Sequence, residues 1–133
     1  MTRVVIVANR GADMARLEAS VSALRTAEIV RRANGRSSVA WMIAADQPSL
    51  VLIAELNPYQ LTVERVRESR AAAPDADIVV VAAGTGSRWL ADALRAGATT
   101  VLPGELGVRA LTAVLKEVTA PNPSGALPLA RVV

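Results

Sequence analysis

The chain of 133 residues contains no cysteine, no histidine and no phenylalanine. Without cysteine there is no disulfide, no thiol nucleophile and no thiolate metal site, and the redox compartment leaves no trace. Without histidine the commonest metal ligand and general base is missing. Serines are present, but nothing of that type activates them, and no strand–Gly-x-Ser-x-Gly–helix element occurs. Paired carboxylates at strand ends are missing too, so glycosidase and metal-hydrolase chemistry have no supporting residues. The only aromatics are Trp41, Tyr59 and Trp89. No apolar run approaches the roughly 20 residues of a membrane span. The first residues, Met1-Thr-Arg-Val-Val-Ile-Val, lack the pattern of a secretory leader. A cytoplasmic chain that crosses no membrane is the expectation. Lysine is nearly absent as well, with Lys116 alone beside fourteen arginines and a net charge of +3. Together with abundant alanine, this suggests a coding bias as much as a function. No basic stripe is interleaved with aromatics, so nothing within the chain reads nucleic acid.

What is present is aliphatic. Residues of hydrophobic type make up 52% of the chain, and its length fits one domain with a real core of Val, Leu, Ile and Ala. Arg3–Ala8, Leu50–Glu55 and Ile78–Ala82 are near-continuous apolar runs, the pattern of strands covered on both faces. Shorter strands are expected at Ala27–Arg31 and Thr99–Leu102. Between them lie helical spacings. Asp13 is a candidate N-cap for a helix carrying Met14, Leu17, Val21 and Leu24. After the Asn34-Gly35 turn, Ser37 or Ser38 caps a helix whose inner face takes Val39, Trp41, Met42 and Ile43. Leu61, Val63 and Val66 mark a third helix, on which Glu64 and Glu68 can pair with Arg67 and Arg65. Arg88–Arg95 is a fourth, closed by Gly97, and Leu106–Val118 a fifth. Arg31, Arg32 and Arg36 surround a turn and read as a solvated edge. Strands alternating with helices imply a parallel sheet covered on both faces, an α/β three-layer architecture. Residues 1–119 form this domain, and the proline-rich residues 120–133 read as a tail or the start of a linker.

Three pieces carry a resemblance: Ala93-Leu-Arg-Ala-Gly-Ala98 before a short strand, Val101-Leu-Pro103, and the stretch from Pro48 to Leu56-Asn-Pro58. With the alternation they resemble the CheY-like receiver domain of two-component response regulators, over Arg3 to about Val118. The resemblance implies a flavodoxin-like (βα)5 fold of strand order 2-1-3-4-5. In that family two acids after the first strand hold Mg²⁺ and an aspartate ending the third strand accepts phosphate. A hydroxyl at the end of the fourth strand and a lysine at the end of the fifth hold the phosphoryl oxygens. Carried over, the acid pair falls on Ala8 and Asn9, the acceptor on Ala54, the hydroxyl on Ala82 and the lysine on Gly104. The family's aromatic switch position falls on Val101. None of these chemical groups is retained. A shift of one residue instead puts Glu55 at the acceptor position, where its carboxylate would act as a permanent charge.

The implied protein is an aspartate-less pseudo-receiver. The expectation is a non-enzymatic signalling module with no catalytic residue, metal or cofactor. It would pair with a second copy through the fourth helix, fifth strand and fifth helix, or dock a protein partner. DNA would be reached only through a downstream output domain. Trp89, Arg95, Val101 and Leu106 are the candidate interface residues. Arg10 and Glu55 either pair across the vacated pocket or point into solvent. Gly84-Thr85-Gly86-Ser87, two glycines at a strand-to-helix junction, is either a flexible loop with a serine cap or an anion site. With the vacant pocket it supports the rival reading of a small anion or nucleotide sensor.

Overall fold

Because the apolar runs need cover on both faces, they form a parallel sheet with helices on each side. The structure, a computed structural model, describes residues 1–83, 89–120 and 131–132. Chain order is β1 (Thr2–Val7), α1 (Ala12–Ser22), β2 (Ala27–Ala33), α2 (Ala40–Asp46), β3 (Leu50–Ala54) and α3 (Tyr59–Ala72). It continues through β4 (Asp77–Val81), α4 (Trp89–Ala96), β5 (Thr100–Leu102), α5 (Val108–Thr119) and β6 (Arg131–Val132). The sheet runs β2-β1-β3-β4-β5-β6, with every neighbouring pair parallel. Its first five strands stand in the expected order 2-1-3-4-5. The sixth was not expected. Arg131 and Val132 fall in the stretch read as a tail, yet they pair with Thr100 and Val101.

Side chains alternate across the strands and sort the core into two layers. Val5, Val7, Val51, Ile53, Ile78 and Val80 meet Val39 and Ile43 of α2's region, Val63 and Val66 of α3, and Trp89 and Ala93 of α4. Val4, Ile6, Leu50, Leu52, Val79 and Val81 meet Leu17 and Val21 of α1 and Leu111 and Leu115 of α5.

Local details differ from the sequence reading. Asp13 does not cap α1. Gly11, at φ 104°, turns the chain two residues sooner, and Asp13 lies in the first turn, where a carboxylate suits the helix dipole. Val39 takes the N-cap position of α2, and its N–H donates to Glu68 Oε1 at 2.9 Å, while Ala40 N–H reaches Ser38 Oγ at 3.3 Å. The cap is therefore supplied largely from α3. β2 runs on to Ala33, and β5 begins at Thr100. Gly97 closes α4 as expected, at φ +123°.

Trp41 was expected inside and is 64% exposed, whereas Trp89, which was either an exposed interface anchor or packed over its own loop, is 4% exposed. Helix phase explains both. Val39, Met42 and Ile43 set the inward side of α2, which leaves Trp41 opposite. Trp89 and Ala93, four apart, share the inward side of α4.

Two arginines of α3 fasten the loops. Arg65 is 7% exposed; its Nε donates to Gly35 O at 2.8 Å, its Nη2 to Arg36 O at 3.3 Å, and its Nη1 to Glu68 Oε2 at 3.0 Å. Arg70 donates to the carbonyls of Pro74, Ala76 and Gly97. The expected pair of Arg67 with Glu64 also forms, but both side chains are more than half exposed. Arg65→Ala strands the half-buried Glu68 carboxylate and two carbonyls, so it should destabilise the fold by about 2–3 kcal/mol. Arg67→Ala should stay within about 0.5 kcal/mol of the parent. Urea denaturation of the two variants checks the contrast.

Candidate functional site

In open parallel sheets ligands bind beyond the carboxyl ends of the strands. Here Ala8-Asn9-Arg10 follow β1, Glu55 follows Ala54 at the end of β3, Ala82-Ala83 follow β4, and Pro103-Gly104 follow β5. Val7 pairs with Ile53 and Ala54 with Val81, so Ala8, Ala54 and Ala82 sit near one level of the sheet. All three are buried. Backbone hydrogen bonds continue through this level: Ala8 N–H to Ala33 O at 2.9 Å, Glu55 N–H to Val81 O at 2.9 Å, and Ala82 N–H to Leu102 O at 2.8 Å.

Gly104 sits against this edge with no room for a side chain. A Cβ there would stand 2.0 Å from the carbonyl oxygen of Ala82 and 3.0 Å from the carbonyl carbons of Ala82 and Ala83. The contact is backbone, so no rotamer change relieves it. Arg16 Nη1 holds the Gly104 carbonyl at 2.8 Å from the side of α1. The end of β5 has closed onto the end of β4, and a lysine at this position is sterically barred.

Glu55 brings a carboxylate to this edge. Its Oε1 accepts from Ala83 N–H at 2.9 Å. The pairing with Arg10 considered above does not form: Glu55 turns to the start of the β4–α4 connection, and Arg10 lies exposed. No cluster of three or more acidic residues among the described residues could hold a metal ion. The Gly84–Ser87 loop lies outside the described residues.

The candidate interface residues are not one surface. Trp89 stacks on Tyr59, with ring centroids 6.4 Å apart and planes 19° from parallel, and Val101 is 2% exposed. Both are core residues. Arg95 is exposed and pairs with Asp92 at 3.1 Å, and Leu106 is half-buried. β6 lies along the side of β5 away from β4.

Open space lies along the same carboxyl edge of the sheet, toward β2. A cavity of about 420 Å³ is lined by Asn9, Arg10, Asn34, Arg36 and Asn57, from the loops after β1, β2 and β3. A neighbouring groove of about 650 Å³ shares Arg10 and Asn34 and adds Met14, Val39 and Met42. Sequence reasoning named Asn9, Arg10, Asn34 and Arg36 separately without joining them. The available signal was an asparagine shortly after each of the first three strands. Arg31 and Arg32, read as a solvated edge, are both engaged. Arg31 binds Asp46 at 2.5 and 3.2 Å and lies 5.3 Å from the Trp41 ring centroid, and Arg32 binds Glu18 at 2.9 Å.

No protein-family model matches the sequence, and no curated protein does either. Solved structures do match in shape. The receiver domain of RcsB from Salmonella enterica superposes with a TM-score of 0.77 at 10% identity, covering 99% of this chain and 93% of that one. The fold is that of receiver domains. A LuxR-family DNA-binding response regulator from Staphylococcus aureus gives 0.71 at 17% identity, over 89% of this chain and 98% of that one. A protein assigned to pilus assembly, CpaE from Burkholderia thailandensis, gives 0.71 at 20% identity, over 91% of this chain and 100% of that one. The receiver fold is thus shared with proteins of more than one assignment. No helix among the described residues is long and apolar enough to cross a membrane.

Two measurements follow from this geometry. Gly104→Ala should lose about 3 kcal/mol of stability, an overpacking cost with no flexible neighbour to absorb it; urea titration reads it directly. The second concerns Asp46. The hydrogen bond from Arg31 holds its carboxyl below the usual aspartate value, against the opposing effect of burial, with the charges of Arg31 and Arg3 adding to the lowering. A lowered folded-state pKa contributes stability above the unfolded value, and that contribution is lost as pH falls through the folded value. Asp77, pushed up by burial against the pull of Arg70, acts in the opposite sense. The difference in urea midpoint between the parent and Asp46→Asn should therefore be present above the usual aspartate range and shrink on acidification below it.

Proposed function

We propose that the chain is a receiver-fold signalling module that works by protein contact, with no phosphoryl chemistry of its own. One observation carries the reading: Gly104 is packed so tightly on the Ala82 carbonyl that a side chain is barred where the receiver resemblance puts lysine. The positions carried over for the acid pair, acceptor and hydroxyl are Ala8, Asn9, Ala54 and Ala82, and none can ligate Mg²⁺ as a carboxylate or carry an acyl phosphate. A single missing group could be restored by one substitution, but a closed backbone cannot. Glu55 supplies a standing negative charge bonded to Ala83 N–H, so the start of the β4–α4 connection is held without a phosphorylation event.

The partner is a second copy of this chain or another protein. The expected surface is α4, β5 and α5. With β6 lying along β5, pairing there uses the outer faces of α4 and α5. The receiver-fold response regulator from Staphylococcus aureus is a DNA-binding protein; by analogy, this chain's output would lie in a downstream domain. Its place in the cytoplasm follows from the same reading.

Incubation with acetyl phosphate and Mg²⁺ should leave the chain unlabelled. Ala54→Asp should remain unlabelled too, since the acceptor alone lacks the metal ligands and the lysine; an acyl-phosphate adduct on the parent overturns the reading. Sedimentation velocity should show a dimer whose share rises with concentration, or a stable complex with a partner. A strictly monomeric chain that binds no partner contradicts it.

A further inference from the structure

We propose that the cavity formed by Asn9, Arg10, Asn34, Arg36 and Asn57 is a binding site for a phosphomonoester, with its organic part lying in the adjoining groove. This goes beyond the docking reading and rests on different residues.

Arg10 and Arg36 line the cavity of about 420 Å³, and no carboxylate does. The neighbouring arginines are already neutralised, Arg31 by Asp46 and Arg32 by Glu18. Glu55, the nearest acid by sequence to Asn57, is turned away to Ala83 N–H. Neither the Arg10 nor the Arg36 guanidinium has a hydrogen-bond or ion-pair partner among the described residues, although Arg36 contributes its backbone to the local turn. Two unpaired guanidinium groups at one cavity, with no counter-charge in its wall, make a site for an anion.

The donors narrow the class. Guanidinium groups offer planar forks of N–H donors, and each carboxamide adds two more N–H groups. A carboxylate has one charge and two oxygens. A phosphomonoester has about two charges near neutral pH and three terminal oxygens, which suits two arginines and three carboxamides better. Part of the wall is preset. Asn34 Oδ1 accepts Arg36 N–H at 2.9 Å, which leaves the Asn34 NH₂ to donate. Arg65 Nη2 holds the Arg36 carbonyl at 3.3 Å, so the backbone that carries the second guanidinium is anchored to α3.

The groove accounts for the rest of the ligand. It spans about 650 Å³, shares Arg10 and Asn34 with the cavity, and is lined by the apolar Met14, Val39 and Met42 together with the polar Glu18, Ser37 and Ser38. That volume is in the range of small-molecule sites, which combine apolar lining with a few polar groups. The site sits at the carboxyl ends of parallel strands, where such folds bind ligands. The receiver resemblance implies acids and a metal cation at the end of β1; Asn9 and Arg10 there give the opposite charge preference.

The test is an amide NMR titration of the whole chain with inorganic phosphate, then with a sugar monophosphate, at constant ionic strength. Both should shift the side-chain amides of Asn9, Asn34 and Asn57 saturably, and the sugar phosphate should bind at least about tenfold more tightly through the groove. Arg10→Ala and Arg36→Ala should each weaken binding by about tenfold, and the double variant should abolish it. These side chains hold nothing in the fold, so the variants should keep the parent's urea midpoint. Shifts confined to other residues, no saturable shift, or full binding by the double variant would overturn the site. An equal response to acetate would overturn its assignment to phosphate. A strictly monomeric chain that binds no partner yet still binds phosphate here would sink the docking proposal and leave this one standing.

Discussion

Burial of β3 on both faces is the constraint around which the molecule is arranged. Leu50, Val51, Leu52 and Ile53 are fully buried and Ala54 is 2% exposed. Val51 and Ile53 belong to the layer with α3 and α4, while Leu50, Leu52 and Ala54 belong to the layer with α1 and α5. Each large side chain in such a strand contributes on the order of 1.5–3 kcal/mol by leaving water. That gain needs helices on both sides and strands on both edges, and β1 and β4 supply the edges. Once β3 is central and parallel, its carboxyl end is fixed in the middle of the functional edge of the sheet.

What lies at that edge then decides the function. Small residues at Ala8, Ala54 and Ala82 let the strand ends pack as core, and Gly104 lets the end of β5 close onto them. The cost of an ionised group there would be high, because burying an unpaired carboxylate is strongly unfavourable. Glu55 avoids that cost by reaching the Ala83 amide from a half-buried position. The polar, open part of the edge has moved toward β1 and β2, where Arg10 and Arg36 face solvent and the cavities lie. Charge and volume have therefore separated from the position where receiver chemistry would occur.

Much of this was legible in the sequence because burial leaves a periodic trace. The runs at Val4–Val7, Leu50–Ala54 and Ile78–Val81 gave the central strands, and Gly97 gave the end of α4. The alanines at the strand ends were legible from the resemblance alone. Trp41 was misplaced because residue type was weighed above helix phase, although the Val39–Met42–Ile43 spacing already put it outside. Arg65 was read as a surface partner of Glu68. That pair forms, but the side chain is buried because the carbonyls of Gly35 and Arg36 need donors, and a carbonyl's need leaves no mark in a sequence. β6 was missed for a similar reason: two residues have no period, and their pairing depends on the exposed side of β5. The closeness of Gly104 to Ala82 is a backbone approach across strands, which no one-dimensional pattern encodes.

The central proposal is that the edge where receiver chemistry would occur is closed in this chain and takes up no metal. Titration of the uniformly labelled chain with Mg²⁺, followed by backbone amide NMR at Ala8, Asn9, Ala54, Glu55 and Ala82, tests it most directly. The prediction is no saturable shift at these amides up to millimolar cation. A saturable shift centred on them would show a working metal site and would contradict the account.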